Sequence, residues 1–335
     1  MSRSLTQGGK WAVLLALALP GCMGDAPSSG VGTLVTITGN DGGGAERALR
    51  YYAGGIAAAG GADPVAAGLL VETDGGFALD TGKIPAPLAA AFAFEGAEVD
   101  WETELKPAFE RSYAQARALP PTLDALQAEV GPWAEGDPAW FVHEVDGVMT
   151  AARRRLFVPT AAAREAALAM AAGRAATYPV GTAIVGEHRL DGRRVETTVK
   201  RRRGDGHWDF AVYDASGALT DGTATPPRPL AAPAKCLGCH LGSKLHQPEK
   251  AFPADAPAGP TGPRAVYVPD PWRAAADGAG LAQRFQEHAR RADGVLGLYG
   301  TLYAARVLAQ ARAGEPLAPE DAALVRALGD AAADG

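Results

Sequence analysis

Thr182-Ala-Ile-Val-Gly-Glu-His188, followed by the Asp191-Gly192 turn, Val195, Thr197 and Val199, the Gly204-Asp-Gly206 turn and Trp208, Phe210 and Val212, is the stretch that decides the fold. Apolar and polar residues alternate along the second and third runs, which is the period of a strand, and Asp-Gly between the first two is a two-residue hairpin signal. The reading is an antiparallel meander with one apolar face. Upstream, Thr160 is expected to cap an alanine-rich helix running to about Ala176, with Tyr178-Pro179 ending it because the residue before proline leaves the helical region. A helix packed on the apolar face of an antiparallel meander is an α+β arrangement.

Downstream lies Cys236-Leu-Gly-Cys239-His240. Two thiols three positions apart followed by an imidazole are what covalent haem attachment requires: the sulfurs add across the two vinyl groups and the histidine is placed to ligate the iron. With three cysteines and six histidines in 335 residues, chance would give this pattern on the order of once in two thousand such sequences, so chance is a poor explanation. A zinc site would want four ligands, and only His246 supplements the motif nearby. A thioredoxin-like dithiol would follow a strand in a βαβ unit, whereas this pair follows the proline-rich run from Pro226 to Pro233. Haem c, covalently attached once, is the expected cofactor, with Cys236 and Cys239 as the attachment points and His240 as the axial ligand.

Tyr178-Pro-Val-Gly-Thr-Ala-Ile-Val185, Thr198-Val-Lys200, Trp208-Asp-Phe-Ala-Val-Tyr-Asp214 with Gly217, and Cys236-Leu-Gly-Cys-His240 resemble, in order and spacing, the successive motifs of the cytochrome P-460 family. The resemblance covers about residues 140–255. It implies a c-type haem on a mostly antiparallel sheet, a proximal histidine from the haem motif and an open distal side. In some members a lysine is bonded to the porphyrin edge, and those oxidise hydroxylamine; relatives without the bond resemble gas-binding cytochromes of the c-prime-beta type. After Gly181 this chain has Gly186-Glu-His188 and no lysine, while Lys200 lies in the next strand beside three arginines and Lys235 directly precedes the haem cysteines. Lys200 is expected to point to solvent, and the cross-link is not carried over.

A class I cytochrome c would supply a methionine after the haem motif, but Met1, Met23, Met149 and Met170 all precede it. His143, His188, His207, His246 and His288 remain as sixth-ligand candidates, and His188 is the best placed, being on a strand of the sheet. Glu187, His188 and Glu196 are the distal candidates, the two glutamates as proton relays, although a strand glutamate is usually solvated. An open sixth position is the favoured state.

Arg3 and Lys10 precede an apolar run from Trp11 to Leu19 that is too short to span a bilayer, and the run ends in Leu19-Pro-Gly-Cys22. Residues 1–21 read as a signal peptide with a lipobox, Cys22 as the lipid anchor and residues 22–31 as a tether; an ordinary secretory signal with a coincidental cysteine is the competing reading. With Cys22 on lipid and two thiols on haem, no thiol remains for a disulfide. Localisation in the bacterial cell envelope, facing the periplasm, follows, with the membrane reached through the lipid.

Beyond the haem domain at 139–255, residues 32–138 form an α/β region with no nameable chemistry, with a strand at 33–38 and helices at 46–59, 103–119 and 122–130. Residues 256–335 form a linker and three helices, at 278–291, 294–312 and 319–332. A formal charge of −6 without concentration argues against nucleic acid, and Arg201-Arg-Arg203 reads as a solvated strand end. The expected function is binding or redox chemistry of a small nitrogen oxide, or another gaseous ligand, at an open haem site, with an unspecified redox partner protein. If the chain is an enzyme, it is an oxidoreductase acting on small nitrogen compounds. The alternatives are a six-coordinate electron-transfer cytochrome without substrate and a lipoprotein whose motif is empty or metal-bound.

Overall fold

The strand period of the opening stretch is realised in a seven-stranded antiparallel sheet. The computed structural model describes residues 33–40, 43–57, 61–146, 152–224, 227–229, 233–234, 236–237, 258–259, 262–263, 266–291 and 294–333. In chain order the elements begin with β1 (Leu34–Thr38), α1 (Gly43–Ile56), β2 (Leu70–Thr73), β3 (Gly76–Asp80) and β4 (Glu98–Asp100). There follow α2 (Lys106–Ala116), α3 (Leu123–Val130), β5 (Trp140–Asp146), β6 (Arg153–Pro159) and α4 (Thr160–Ala171). The meander is β7 (Ala183–Leu190), β8 (Arg193–Arg202) and β9 (Trp208–Asp214), continued by β10 (Leu219–Thr220), β11 (Gly222–Ala224) and β12 (Pro227–Pro229). Then come β13 (Ala258–Gly259), β14 (Gly262–Pro263), β15 (Val266–Tyr267), α5 (Asp270–Gly278), α6 (Leu281–Arg291), α7 (Gly294–Arg312) and α8 (Pro319–Ala333).

The large sheet has the order β10-β9-β8-β7-β6-β5-β15. Asp191 and Gly192 both take positive φ, 49° and 77°, as a type I′ hairpin between β7 and β8 demands. A smaller mixed sheet, β2-β3-β1-β4, has β1 parallel to β4 and antiparallel to β3.

The meander departs from the expectation of one apolar face. In β7 and β9 six successive residues are buried, Ala183–His188 and Trp208–Tyr213, so both faces are covered. On the inner face Phe141, Leu156, Val158, Ile184, Trp208 and Phe210 join α4 and α7 in a core that runs from Val35 to Leu328. On the opposite face Phe157, Val185, Val199, Ala211 and Tyr213 pack beneath Leu123 and Leu126 of α3 and Trp133. Strand alternation assigns each residue to one of these two layers.

Other local expectations are corrected by chemistry the sequence pattern hides. Thr160 does not cap α4: Pro159 holds the cap position and the Thr160 hydroxyl is buried without a partner. The helix ends at Gly173 rather than at Tyr178-Pro179. The Gly173 amide bonds to Met170 O and the Arg174 amide to Ala169 O, with Gly173 at φ 67°, which is a Schellman C-terminus. The helix read at 278–291 is α6, which starts at Leu281 after Gly280 with φ 61°, and α5 before it was not read.

The arginine run is not a solvated strand end. The Arg203 side chain is wholly buried, bonded to the Asp205 carboxylate and donating 3.0 Å to Tyr51 O. Arg117 on the loop after α2 makes a bidentate pair with Asp209 of β9 at 2.6 and 2.8 Å, and reaches Gly55 O at 2.9 Å. Gly54 and Gly55 inside α1 permit this approach: a Cβ on Gly54 would stand 2.8 Å from Asp205 Oδ2, and one on Gly55 3.3 Å from Arg117 Cδ. These ion pairs, with the Tyr51 hydroxyl donating 2.8 Å to Trp208 O, fasten α1 and α2 to the β8–β9 end of the sheet. Among the described residues no helix is long and apolar enough to cross a membrane.

Candidate functional site

On the inner face, Arg154, His188 and Glu196 stand abreast on β6, β7 and β8, because Arg154 pairs with His188 and His188 with Glu196 in the ladder. All three side chains therefore point the same way. Arg154 Nε donates to His188 Nε2 at 3.0 Å, and the Thr198 hydroxyl lies 3.3 Å from the same nitrogen. An accepting Nε2 leaves the proton on Nδ1, which faces Glu196 Oε1 at 3.7 Å. The other Glu196 oxygen, Oε2, accepts the Ala224 amide at 2.8 Å. Directly after His188 the β7–β8 register shifts, a bulge that re-aims the chain at the edge of this cluster.

His188 and Glu196 are each 2% exposed. Burial, helped by the Arg154 guanidinium, pushes the His188 imidazole well below its ordinary value. Burial raises the Glu196 carboxyl, with the Ala224 amide and Arg154 opposing. The two shifts favour neutral forms on both partners, so the pair is a close-set neutral acid–base couple, with His188 Nδ1 making no hydrogen bond across 3.7 Å, rather than a salt bridge. Such a couple can hold one proton out of contact with bulk water.

The three distal candidates do not share a face. Glu187 points to the opposite layer, where it accepts 3.1 Å from the Trp133 indole and 2.7 Å from Arg189. The expectation that the strand glutamates are solvated is overturned, since Glu187 and Glu196 are 9% and 2% exposed. Arg154, which sequence reasoning missed, orders the cluster. The short apolar run Leu156-Phe-Val158 ending at Pro159 was the available strand signal.

His143 stacks with Phe141 and lies against Tyr299. His207 is edge-on to Tyr51, and His288 Nε2 accepts the Ala176 amide at 2.9 Å. Met170 accepts from the Thr301 hydroxyl at 3.6 Å. Lys200 does not point to solvent: it is 9% exposed, with Nζ 5.3 Å from the Trp208 ring centre and 4.7 Å from that of Tyr299.

Cys236 and Leu237 belong to a short helical turn after Pro233, closed by the Leu237 amide donating 2.9 Å to Pro233 O. Leu237 is buried in the same core as the inner face, and Cys236 is half-buried against it. Burial and Glu110 raise the Tyr52 phenol, and burial and Asp209 raise that of Tyr113; the Cys236 sulfur adds to both, so it lies near them. A half-buried thiol beside an apolar and phenolic surface fits a thioether-bound porphyrin. Cys22, Met149, Lys235, Cys239, His240 and His246 lie outside the described residues.

A groove of about 280 Å³ between α3, α4 and the start of β7 is lined by Glu129, Trp140, Glu165, Pro179 and Thr182, apart from the acid–base couple. No family model, curated protein or solved structure matches the chain.

Proposed function

We propose that the chain is an exported, lipid-anchored c-type haem protein that binds, or performs redox chemistry on, a small nitrogen oxide at an open haem site. Cys236 and Cys239 would hold the haem, His240 would ligate its iron and Cys22 would carry the lipid. The observation that carries this reading is the Cys-x-x-Cys-His motif, whose first thiol stands half-buried against the inner-face core. The resemblance of residues 140–255 to the cytochrome P-460 family and the seven-stranded antiparallel sheet support it.

Bound haem supplies an iron centre for one-electron chemistry and for ligation of diatomic gases. The chain's own contribution is the environment. Both nitrogens of His188 are directed within the cluster, Nε2 to Arg154 and Nδ1 toward Glu196, which argues for a positioning role over iron ligation. Glu196 holds or releases a proton in a dry site, where His188 is its nearest acid–base partner. Aromatic and aliphatic cover from α4 and α7 keeps water from the inner face.

The test is the visible spectrum of purified protein. A high-spin ferric haem whose ferrous form shifts on adding nitric oxide or carbon monoxide is expected. A low-spin spectrum unresponsive to both gases would instead mark a six-coordinate electron carrier.

A further inference from the structure

The groove between α3, α4 and the start of β7 is walled by Val130, Trp140, Pro159 and Pro179, and its charged lining is all of one sign. Glu129 and Glu165 face it, and no lysine, arginine or histidine lines it. Glu129 pairs with Arg201 at 3.0 Å and stays half-exposed. Glu165 is exposed and has no ion-pair partner among the described residues, its chain neighbour Arg164 being turned to Asp321 at 2.7 Å. The first turn of α4, uncapped by any side chain, also meets the groove at Ala161 and Ala162. A helix start carries about half a positive charge, less than the two carboxylates even with one of them shared with Arg201. The groove is therefore an apolar slot with an acidic rim.

Its occupant must bring an aliphatic body and a positive end, which is the build of a lysine or arginine side chain. Val180 says that more than a free cation is recognised. It stands between Pro179 and Gly181, both of which line the groove, and is 70% exposed. A single exposed valine is ordinary on a surface, but this one carries the apolar wall past the groove, where a small cation would leave it in water and a protein face would cover it. We infer that this groove is a docking site for a basic partner protein, which lays one lysine or arginine stem along Trp140 and the prolines, sets the charged end against Glu165 and Glu129, and covers Val180.

The probe is the capped peptide acetyl-Ala-Arg-Ala-amide, titrated into the full-length protein while the Gly181 and Thr182 amides and the Trp140 indole N–H are followed by NMR. Saturable shifts at these three groups are expected, with an affinity that falls as salt rises. Glu165→Gln should weaken binding about two- to fivefold, the span of an exposed charge pair. Methylguanidinium, which has the charge without the peptide, should bind more weakly than the peptide, and Val180→Ser should narrow that difference.

No shift at millimolar peptide overturns the docking site. Equal binding of acetyl-Ala-Ala-Ala-amide overturns it too, because the groove would then select apolar bulk without charge. If Glu95→Gln, at an exposed glutamate outside the groove, weakens binding as much as Glu165→Gln, the response is a general charge effect and the site is overturned. If methylguanidinium binds as tightly as the peptide, the ligand is a free organic cation and the protein partner is overturned.

Discussion

Arg154 reaches across the β6–β7 pairing and donates its Nε hydrogen to His188 Nε2 at 3.0 Å, fixing which nitrogen of a fully buried imidazole carries the proton. Glu196, the next side chain in the row, is left facing the Nδ1 hydrogen. Burial, with the Arg154 cation beside it, disfavours the imidazolium, so His188 and Glu196 do not form an ion-pair staple.

His188 should show Nδ1–H tautomer shifts by nitrogen-15 NMR and no titration near its ordinary value. Its folded value is depressed below the unfolded value of about 6.5. Its contribution to stability is therefore complete above about pH 6.5 and is lost as pH falls toward the folded value. His188→Gln, which can still accept from Arg154, should flatten that acid-side fall in Tm. Titration of His188 between pH 6 and 7 would show that burial and Arg154 do not hold it neutral.

Glu196→Gln should be neutral or stabilising at pH 7. The folded-state carboxyl is raised, so the carboxylate is an unfavourable buried charge above its folded value, and the amide oxygen can still accept from Ala224. The advantage should fade as pH falls below the unfolded value of about 4.3, where the glutamate is protonated in both states. Thermal unfolding of both proteins from pH 4 to 8 reads this, and a variant less stable at pH 7 than at pH 4 relative to wild type would contradict it.

Gly186→Ala should break the row without replacing any of its members. The new methyl would meet Thr198 Oγ1 at 2.9 Å, Arg154 Cδ at 3.0 Å and Leu156 Cδ2 at 3.2 Å. Displacing Arg154 frees His188 Nε2, and overpacking of this kind costs about 1–3 kcal/mol. Denaturant unfolding measures the loss, and the His188 resonance should move toward the ordinary histidine range.

How much of this was legible in the sequence divides along the ladder. The hairpin at Asp191-Gly192 and the strands it joins were readable because turn chemistry and period agree there. β5 and β6 were not read, since Trp140–Asp146 and Arg153–Pro159 are less cleanly alternating and flank residues of mixed polarity. Missing them hid Arg154, and so the geometry of the candidate site. Lys200 and Arg203 were misread for a common reason: charge runs are usually solvated, and only tertiary partners such as Tyr299, Asp205 and Tyr51 show that these are enclosed.

Asp209→Ala should cost about 3–5 kcal/mol, the loss expected when one partner of a buried ion pair is removed. Arg117 and Arg203 would be left enclosed without their shared carboxylate, which is 2% exposed. Arg117→Met together with Asp209→Leu should cost less than Asp209→Ala alone. Chemical denaturation of the three proteins decides it, and a double variant that loses as much as Asp209→Ala or more would contradict it.

The central claim is covalent haem at the Cys-x-x-Cys-His motif, and mass spectrometry of a tryptic digest tests it most directly. Cleavage after Lys235 and Lys244 releases Cys236-Leu-Gly-Cys-His-Leu-Gly-Ser-Lys244. From cells able to mature c-type cytochromes, this peptide should carry the full mass of one haem, retained after denaturation, and the parent protein should show a Soret band. The same peptide recovered with both thiols alkylatable, from protein without a Soret band, would contradict the account.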